Sequence, residues 1–186
     1  MKNSITPEEF ERKCRTSGLS LDTNMLILLL LGEAAGGRTR RVPRIKEYSE
    51  DDFRYVKSLA KIARDETVFV TPHSMTEALF LLGFDPRRKK HEEESSIVKP
   101  LSRYGNLFGI TIKFLKNVAS EEIYSPTEDI VSDFSPKEII EYGFPDLSFV
   151  KGVKEKNLAF LSSDSVFVDY LLEKGVCSTT LERLKS

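Results

Sequence analysis

A chain of 186 residues with 40% hydrophobic and 31% charged side chains is long enough to bury a full core and too apolar to stay disordered as a whole. Its formal net charge of -1 excludes a global electrostatic pull towards nucleic acid or membrane, so an anionic partner must be caught by local basic patches. Two cysteines, Cys14 and Cys177, and no Cys/His spacing of zinc-site type exclude a disulfide framework and predict a reducing compartment.

The first ten residues are polar and acidic, unlike the basic segment and apolar core of a secretory leader. The apolar run over residues 25–31 is far shorter than the roughly 20 residues of a membrane span. The expectation is one cytoplasmic domain over 1–186 with no membrane contact.

Thr6-Pro7-Glu8-Glu9 reads as an N-cap, a proline at the first helical position and two acids favoured by the helix dipole, so residues 1–17 form a short helical extension. A brief strand is expected over 19–21. The apolar run after Asn24 is too uniform for periodicity to separate helix from strand, and a buried helix is expected. Gly32-Glu33-Ala34-Ala35-Gly36-Gly37-Arg38-Thr39 then breaks the run and comes close to a phosphate-binding loop. Arg38 stands where lysine is needed, and Pro43 arrives before the loop could open into a helix, so the stretch reads as a flexible glycine-rich loop.

Ser49-Glu50-Asp51-Asp52 starts a helix whose apolar face is Phe53, Val56, Leu59, Ala60 and Ala63, ending near Asp65. Thr67-Val68-Phe69-Val70 reads as a buried parallel strand, and Thr71-Pro72 opens a helix carrying Glu77, Leu81 and Leu82 that Gly83 closes. Residues 84–106 are polar, with Arg87-Arg88-Lys89-Lys90 followed by His91-Glu92-Glu93-Glu94, and read as a helical insertion with a solvated face. Residues 107–118 fit strand or helix, and 121–124 fit a short strand.

Capping boxes at Ser125-Pro126-Thr127-Glu128 and Ser135-Pro136-Lys137-Glu138 start two helices, and Gly143-Phe144-Pro145-Asp146 punctuates the chain before a helix through Leu147, Val150 and Val153. A buried strand over 157–161 ends in Ser162-Ser163-Asp164. It is followed by a helix over 166–174, a stop at Gly175 and a last strand over about 176–179. Strands alternating with helices predict an α/β fold with a parallel sheet covered on both faces.

Parallel sheets bind ligands beyond the carboxyl ends of their strands. Asp22 follows the first strand, Asp164 follows the strand over 157–161, Glu77 lies one turn into the helix after Val70, and Asp146 stands at a helix start. Each has a plain alternative. Asp146 and Asp164 suit helix N-termini, and Glu77, three residues after Ser74, could complete a capping box. Asp22 is harder to explain so, because seven apolar residues follow at Met25 and a buried carboxylate needs a partner or a metal. Carboxylates converging in one cleft repel one another unless a cation balances them. Oxygen-only ligands suit Mg²⁺ or Mn²⁺, which activate water and stabilise charge on a phosphoryl group, so the implied chemistry is phosphodiester hydrolysis.

In this ordered set, Leu21-Asp22-Thr23-Asn24, Thr76-Glu77, Gly143-Phe144-Pro145-Asp146 and Leu161-Ser162-Ser163-Asp164, the chain resembles the PIN-domain nucleases over roughly residues 18–180. The resemblance implies a PIN-like three-layer fold with a parallel central sheet of about four to five strands. It also implies metal-dependent endoribonuclease activity like that of VapC-type toxins, leaving a 5′-phosphate and a 3′-hydroxyl. Asp22, Glu77, Asp146 and Asp164 would hold Mg²⁺ or Mn²⁺, with Asn24 and Ser162 orienting them. An antitoxin protein and a second copy of the chain are the implied partners. The interval from Asp22 to Glu77 and the stretch over 84–106 make the chain longer than a minimal toxin, and Ser162 stands where the family usually has threonine. Asp169 is either an extra acid or a surface residue.

RNA would be positioned by Arg38, Arg40, Arg41 and Arg44, with Lys46, and by a second patch at Arg87-Arg88-Lys89-Lys90. Neither patch is interleaved with aromatics, so neither indicates base stacking. The competing expectation is a non-catalytic PIN-like module that binds RNA or protein, its acids merely capping helices. A phosphatase of the haloacid dehalogenase class is weaker, since Asp22-Thr23-Asn24 lacks its second aspartate.

Overall fold

The computed structural model describes residues 5–66, 68–82 and 127–185. Helix α1 (Pro7–Ser17) starts at the expected N-cap, which closes into a capping box, with the Thr6 hydroxyl accepting from Glu9 N at 3.2 Å and the Glu9 carboxylate accepting from Thr6 N at 3.0 Å. Strand β1 (Leu19–Leu21) runs into helix α2 (Thr23–Ala34), which Asp22 caps. Two 3₁₀ turns (Thr39–Arg41 and Pro43–Ile45) lead to α3 (Glu50–Ile62), whose N-terminus carries a second capping box between Ser49 and Asp52. A 3₁₀ turn (Arg64–Glu66) precedes β2 (Val68–Phe69) and α4 (Pro72–Leu81). Then follow α5 (Thr127–Asp133), α6 (Pro136–Glu155), β3 (Ala159–Ser162), α7 (Ser165–Glu173) and β4 (Ser178–Thr180).

Among the described residues, four strands form one all-parallel sheet in the order β2-β1-β3-β4, in register Leu19↔Val68, Leu21↔Leu161 and Leu161↔Thr179. Alternation along β3 shows how the layers are made. Ala159 and Leu161 belong to one buried cluster with α1, α2, α3 and α4, while Leu158 and Phe160 belong to a second with α5, α6 and α7. Successive side chains of a strand point to opposite faces, so the sheet separates two helical layers. This is an α/β fold with a four-stranded parallel sheet flanked by helices, as expected.

Helix α2 is the centre of the first layer. Met25, Leu26, Ile27, Leu28, Leu29, Leu30 and Leu31 are all buried, which an apolar-all-round helix achieves only when enclosed on every side. It packs on β1 and β3, on α3 and α4, and on both 3₁₀ turns that follow it. Each buried leucine is worth about 1.5–3 kcal/mol over exposure. Gly32 lies inside this helix, one correction to the glycine-loop reading, which started the break at that residue. Its bare Cα receives the Phe53 ring: a Cβ there would stand 2.1 Å from Phe53 Cδ2. The chain turns only at Gly36 and Gly37, both at positive φ. Helix α1 is tied into the same layer, with Phe10 and Cys14 fully buried.

Strand β4 begins two residues later than expected and is made of Ser178, Thr179 and Thr180, all buried. Pairing to β3 satisfies one side of its backbone, and the Ser178 hydroxyl donates to Val168 O at 3.1 Å, so the strand is buried with polar side chains. The expected insertion over 84–106, the elements over 107–118 and 121–124, the closing Gly83, the Ser125-Pro126 cap and the second basic patch lie outside the described residues. Among the described residues, no helix is long and apolar enough to cross a membrane.

Candidate active site

β1 and β3 lie side by side and parallel, so the residues just past their ends face each other across the sheet edge. Asp22 stands at one end. Its N–H donates to Leu161 O at 3.1 Å, which fixes its backbone to β3. Its Oδ1 accepts from Met25 N at 2.7 Å as the N-cap of α2. Its Oδ2 accepts from Ser162 Oγ at 2.6 Å, Ser163 N at 2.8 Å and Ser163 Oγ at 3.2 Å. Burial nevertheless pushes the Asp22 carboxyl above the usual carboxylate range, the hydrogen bonds from Ser162, Met25 and Ser163 opposing it.

Ser162 links two acids. While its hydroxyl donates to Asp22, its Oγ accepts the N–H of Asp164 at 2.9 Å. Asp164 caps α7, with Oδ1 accepting from Val166 N at 2.9 Å and Phe167 N at 3.0 Å. Asn24 acts one step further out, its Nδ2 donating to Ser163 Oγ at 3.0 Å. On the helical side, Glu77 Oε2 accepts from Thr23 Oγ1 at 2.5 Å. Thr71, not Ser74, provides the N-cap of α4, accepting from Ser74 N at 3.0 Å, so Glu77 sits inside the helix rather than in a capping box.

Asp146 owes its position to a break. Gly143 adopts φ 76° and ψ 165° inside α6, with Pro145 directly behind, so the helix ends and restarts there. That backbone region is essentially restricted to glycine. Neither carboxylate oxygen of Asp146 has a hydrogen-bond donor among the described residues. Burial pushes its carboxyl upward; His73 opposes this, and the charges of Glu77 and Asp164 add to it.

Asp22, Glu77, Asp146 and Asp164 all line a single cleft of about 650 Å³, together with Asn24, Ser162, Ser163, His73 and Arg44. Arg38, Arg40 and Arg41 are exposed on the loop and the first 3₁₀ turn and do not line it; Arg38 Nε donates to Ala35 O at 3.1 Å. Asp169 lies outside the cleft as well, paired with Arg183 at 2.8 Å. No family model, curated protein or solved structure matches the chain.

The donor chemistry suits a hard divalent cation: the four acids supply oxygen alone, and the burial that raises Asp146, with the charges of Glu77 and Asp164 adding to it, is a cost that a bound cation would relieve. The arrangement is open, however. Among the described residues, no three His, Cys, Asp or Glu side chains stand close enough to hold one ion. The fit is therefore one of donor type and charge, with the acids spread around the cleft.

Ser163, Thr23 and His73 are among the cleft residues to which the motif reading gave no role. Ser163 and Thr23 act across 141 and 54 positions of chain, so only the β1–β3 pairing and the packing of α2 on α4 reveal them. His73 follows Thr71-Pro72 at a helix start, which local spacing marks as a cap and not as a cleft wall.

Proposed function

We propose that the chain is a metal-dependent endoribonuclease of PIN-like type. The reading is carried by one observation: four carboxylates from four separate segments line one cleft beyond the carboxyl ends of a parallel sheet. Bound Mg²⁺ or Mn²⁺ would supply water activation and charge stabilisation at the phosphate. Asp22, Glu77, Asp146 and Asp164 would hold it by drawing in from the open arrangement they have around the cleft. Ser162 keeps Asp22 and Asp164 in mutual register, Asn24 acts on the pair through Ser163, Thr23 steadies Glu77, and Arg44 offers positive charge to the RNA backbone.

Incubation of the purified protein with single-stranded RNA and Mg²⁺ or Mn²⁺ tests this: cleavage is expected, and its persistence at full rate in both Asp22→Asn and Asp146→Asn would refute the site. A toxin role, with an antitoxin partner and a homodimer, extends the same proposal. It predicts growth arrest on expression, relieved by a small protein encoded beside it, and a dimeric mass in sedimentation.

A binding module is the second reading. Asp22 and Asp164 both cap helices, and no three acids close around one point among the described residues. RNA binding that is indifferent to Mn²⁺, with no metal uptake by calorimetry, would favour it.

A further inference from the structure

One wall of the cleft is aromatic. Tyr142, Phe149, Phe160 and Phe167 line it, with Val166 at the rim 65% exposed. Phe149 and Phe160 form the back: they are 7% and 1% exposed and pack at a centroid distance of 4.7 Å. Phe167 meets Phe160 edge-on at 6.0 Å, and Tyr142 lies 5.8 Å from Phe167 while stacking on Tyr170 at 4.3 Å. Tyr142 and Phe167 are thus held from behind by other rings, yet each stays partly exposed beside the carboxylates.

Burial explains the rings at the back but not the two left at the surface. The acids of the same cleft are suited to a phosphate only through a cation, and they offer a base nothing to stack on. Aromatic faces do, whatever the base, because every nucleobase has a π-face. We infer that Tyr142 and Phe167 form a stacking platform for an unpaired nucleobase of single-stranded RNA, adjoining the phosphate handled by the four acids. The inference rests on the ribonuclease reading and narrows its substrate. In an A-form duplex the bases are stacked on one another and cannot reach a protein ring, so loops, bulges and ends are the substrates. It places base contact apart from the basic loop that carries Arg38, Arg40 and Arg41, which holds no aromatic residue.

The chain contains no tryptophan, so Phe167→Trp installs a single fluorescent reporter in the platform. In stopped-flow mixing with Mn²⁺ present, short single-stranded RNA should quench that reporter before it is cut. The same RNA as a duplex, or with an abasic site scanned to the contact position, should not. Tyr142→Leu should weaken single-strand binding roughly 10-fold and leave duplex binding unchanged, and Tyr142→Phe, which keeps the ring, should restore it. Bound RNA that leaves the tryptophan unquenched, or a Tyr142→Leu variant that is folded by circular dichroism and binds single strands like wild type, overturns the platform. Quenching by an apolar peptide but not by RNA overturns it too. If wild-type protein neither binds nor cuts RNA, the ribonuclease reading fails with it; if it cuts RNA while the platform variants behave as wild type, the platform alone fails.

Discussion

On the strand-end side of the cleft the acids are held by donors: Asp22 accepts from Met25, Ser162 and Ser163, and Asp164 from Val166 and Phe167. On the helical side, Asp146 has no donor among the described residues, and Glu77 has a single one, the Thr23 hydroxyl. The contrast separates two demands on a carboxylate at the wall of a cleft. Where the backbone of the sheet fixes the position, hydrogen bonds offset desolvation and the acid doubles as a helix cap. Where a helix break sets the position, repulsion from neighbouring acids is left standing, and that side has room for a ligand to change it.

Substitutions on the two sides should therefore part company. Asp146→Asn should lower metal-dependent RNA cleavage by at least about 100-fold without lowering the melting temperature, since it removes a charge that burial disfavours and no hydrogen bond. A stability loss in thermal melts would break the comparison. Ser162→Ala on the other side should cost about 1–2 kcal/mol in urea unfolding, because it removes one of the three donors to Asp22 Oδ2 and leaves the Asp164 N–H without its acceptor. Thr23→Val should leave unfolding nearly unchanged and reduce cleavage roughly tenfold, read as a rate at saturating Mn²⁺, by releasing Glu77.

The smallest effect lies outside the cleft and calibrates the others. Lys174, Ser135 and Tyr170 hold the Glu138 carboxyl down at about 2. A depressed carboxylate stabilises the fold above its ordinary pKa, and this contribution drains away as the pH falls from about 4.5 to about 2. Glu138→Gln should cost about 1 kcal/mol or less at neutral pH, with the gap to wild type closing over that window in acid melts. Cleavage should not respond.

Local physics made much of this fold readable. The helix starts at Thr6, Ser49 and Ser135 each use an N-cap hydroxyl and an acid three residues on, a device complete within four residues. Asp22 was visible as a problem, a carboxylate running into apolar sequence, because the cost of burying charge does not depend on topology. The partners that answer it were not visible. Ser163 reaches Asp22 only through strand pairing, and the aromatic wall draws Tyr142, Phe149, Phe160 and Phe167 from three elements that no periodicity connects. Gly32 misled for a related reason: glycine signals a loop locally, whereas here it makes room for Phe53 from the next helix. Strand β4 was misplaced because its burial is polar, and apolar runs are what a sequence displays.

The bend at Gly143 joins things that the chemistry would use separately. Tyr142 lies immediately before it and Asp146 three residues after it, so a single rigid corner carries both a ring and an acid of the cleft. On the proposed reading such a corner would work as a ruler: the offset between a stacked base and the attacked phosphate would be set by the geometry of one short segment and not by the docking of two domains. Lengthening it by one residue would shift the cut along the RNA while the acids themselves stayed intact.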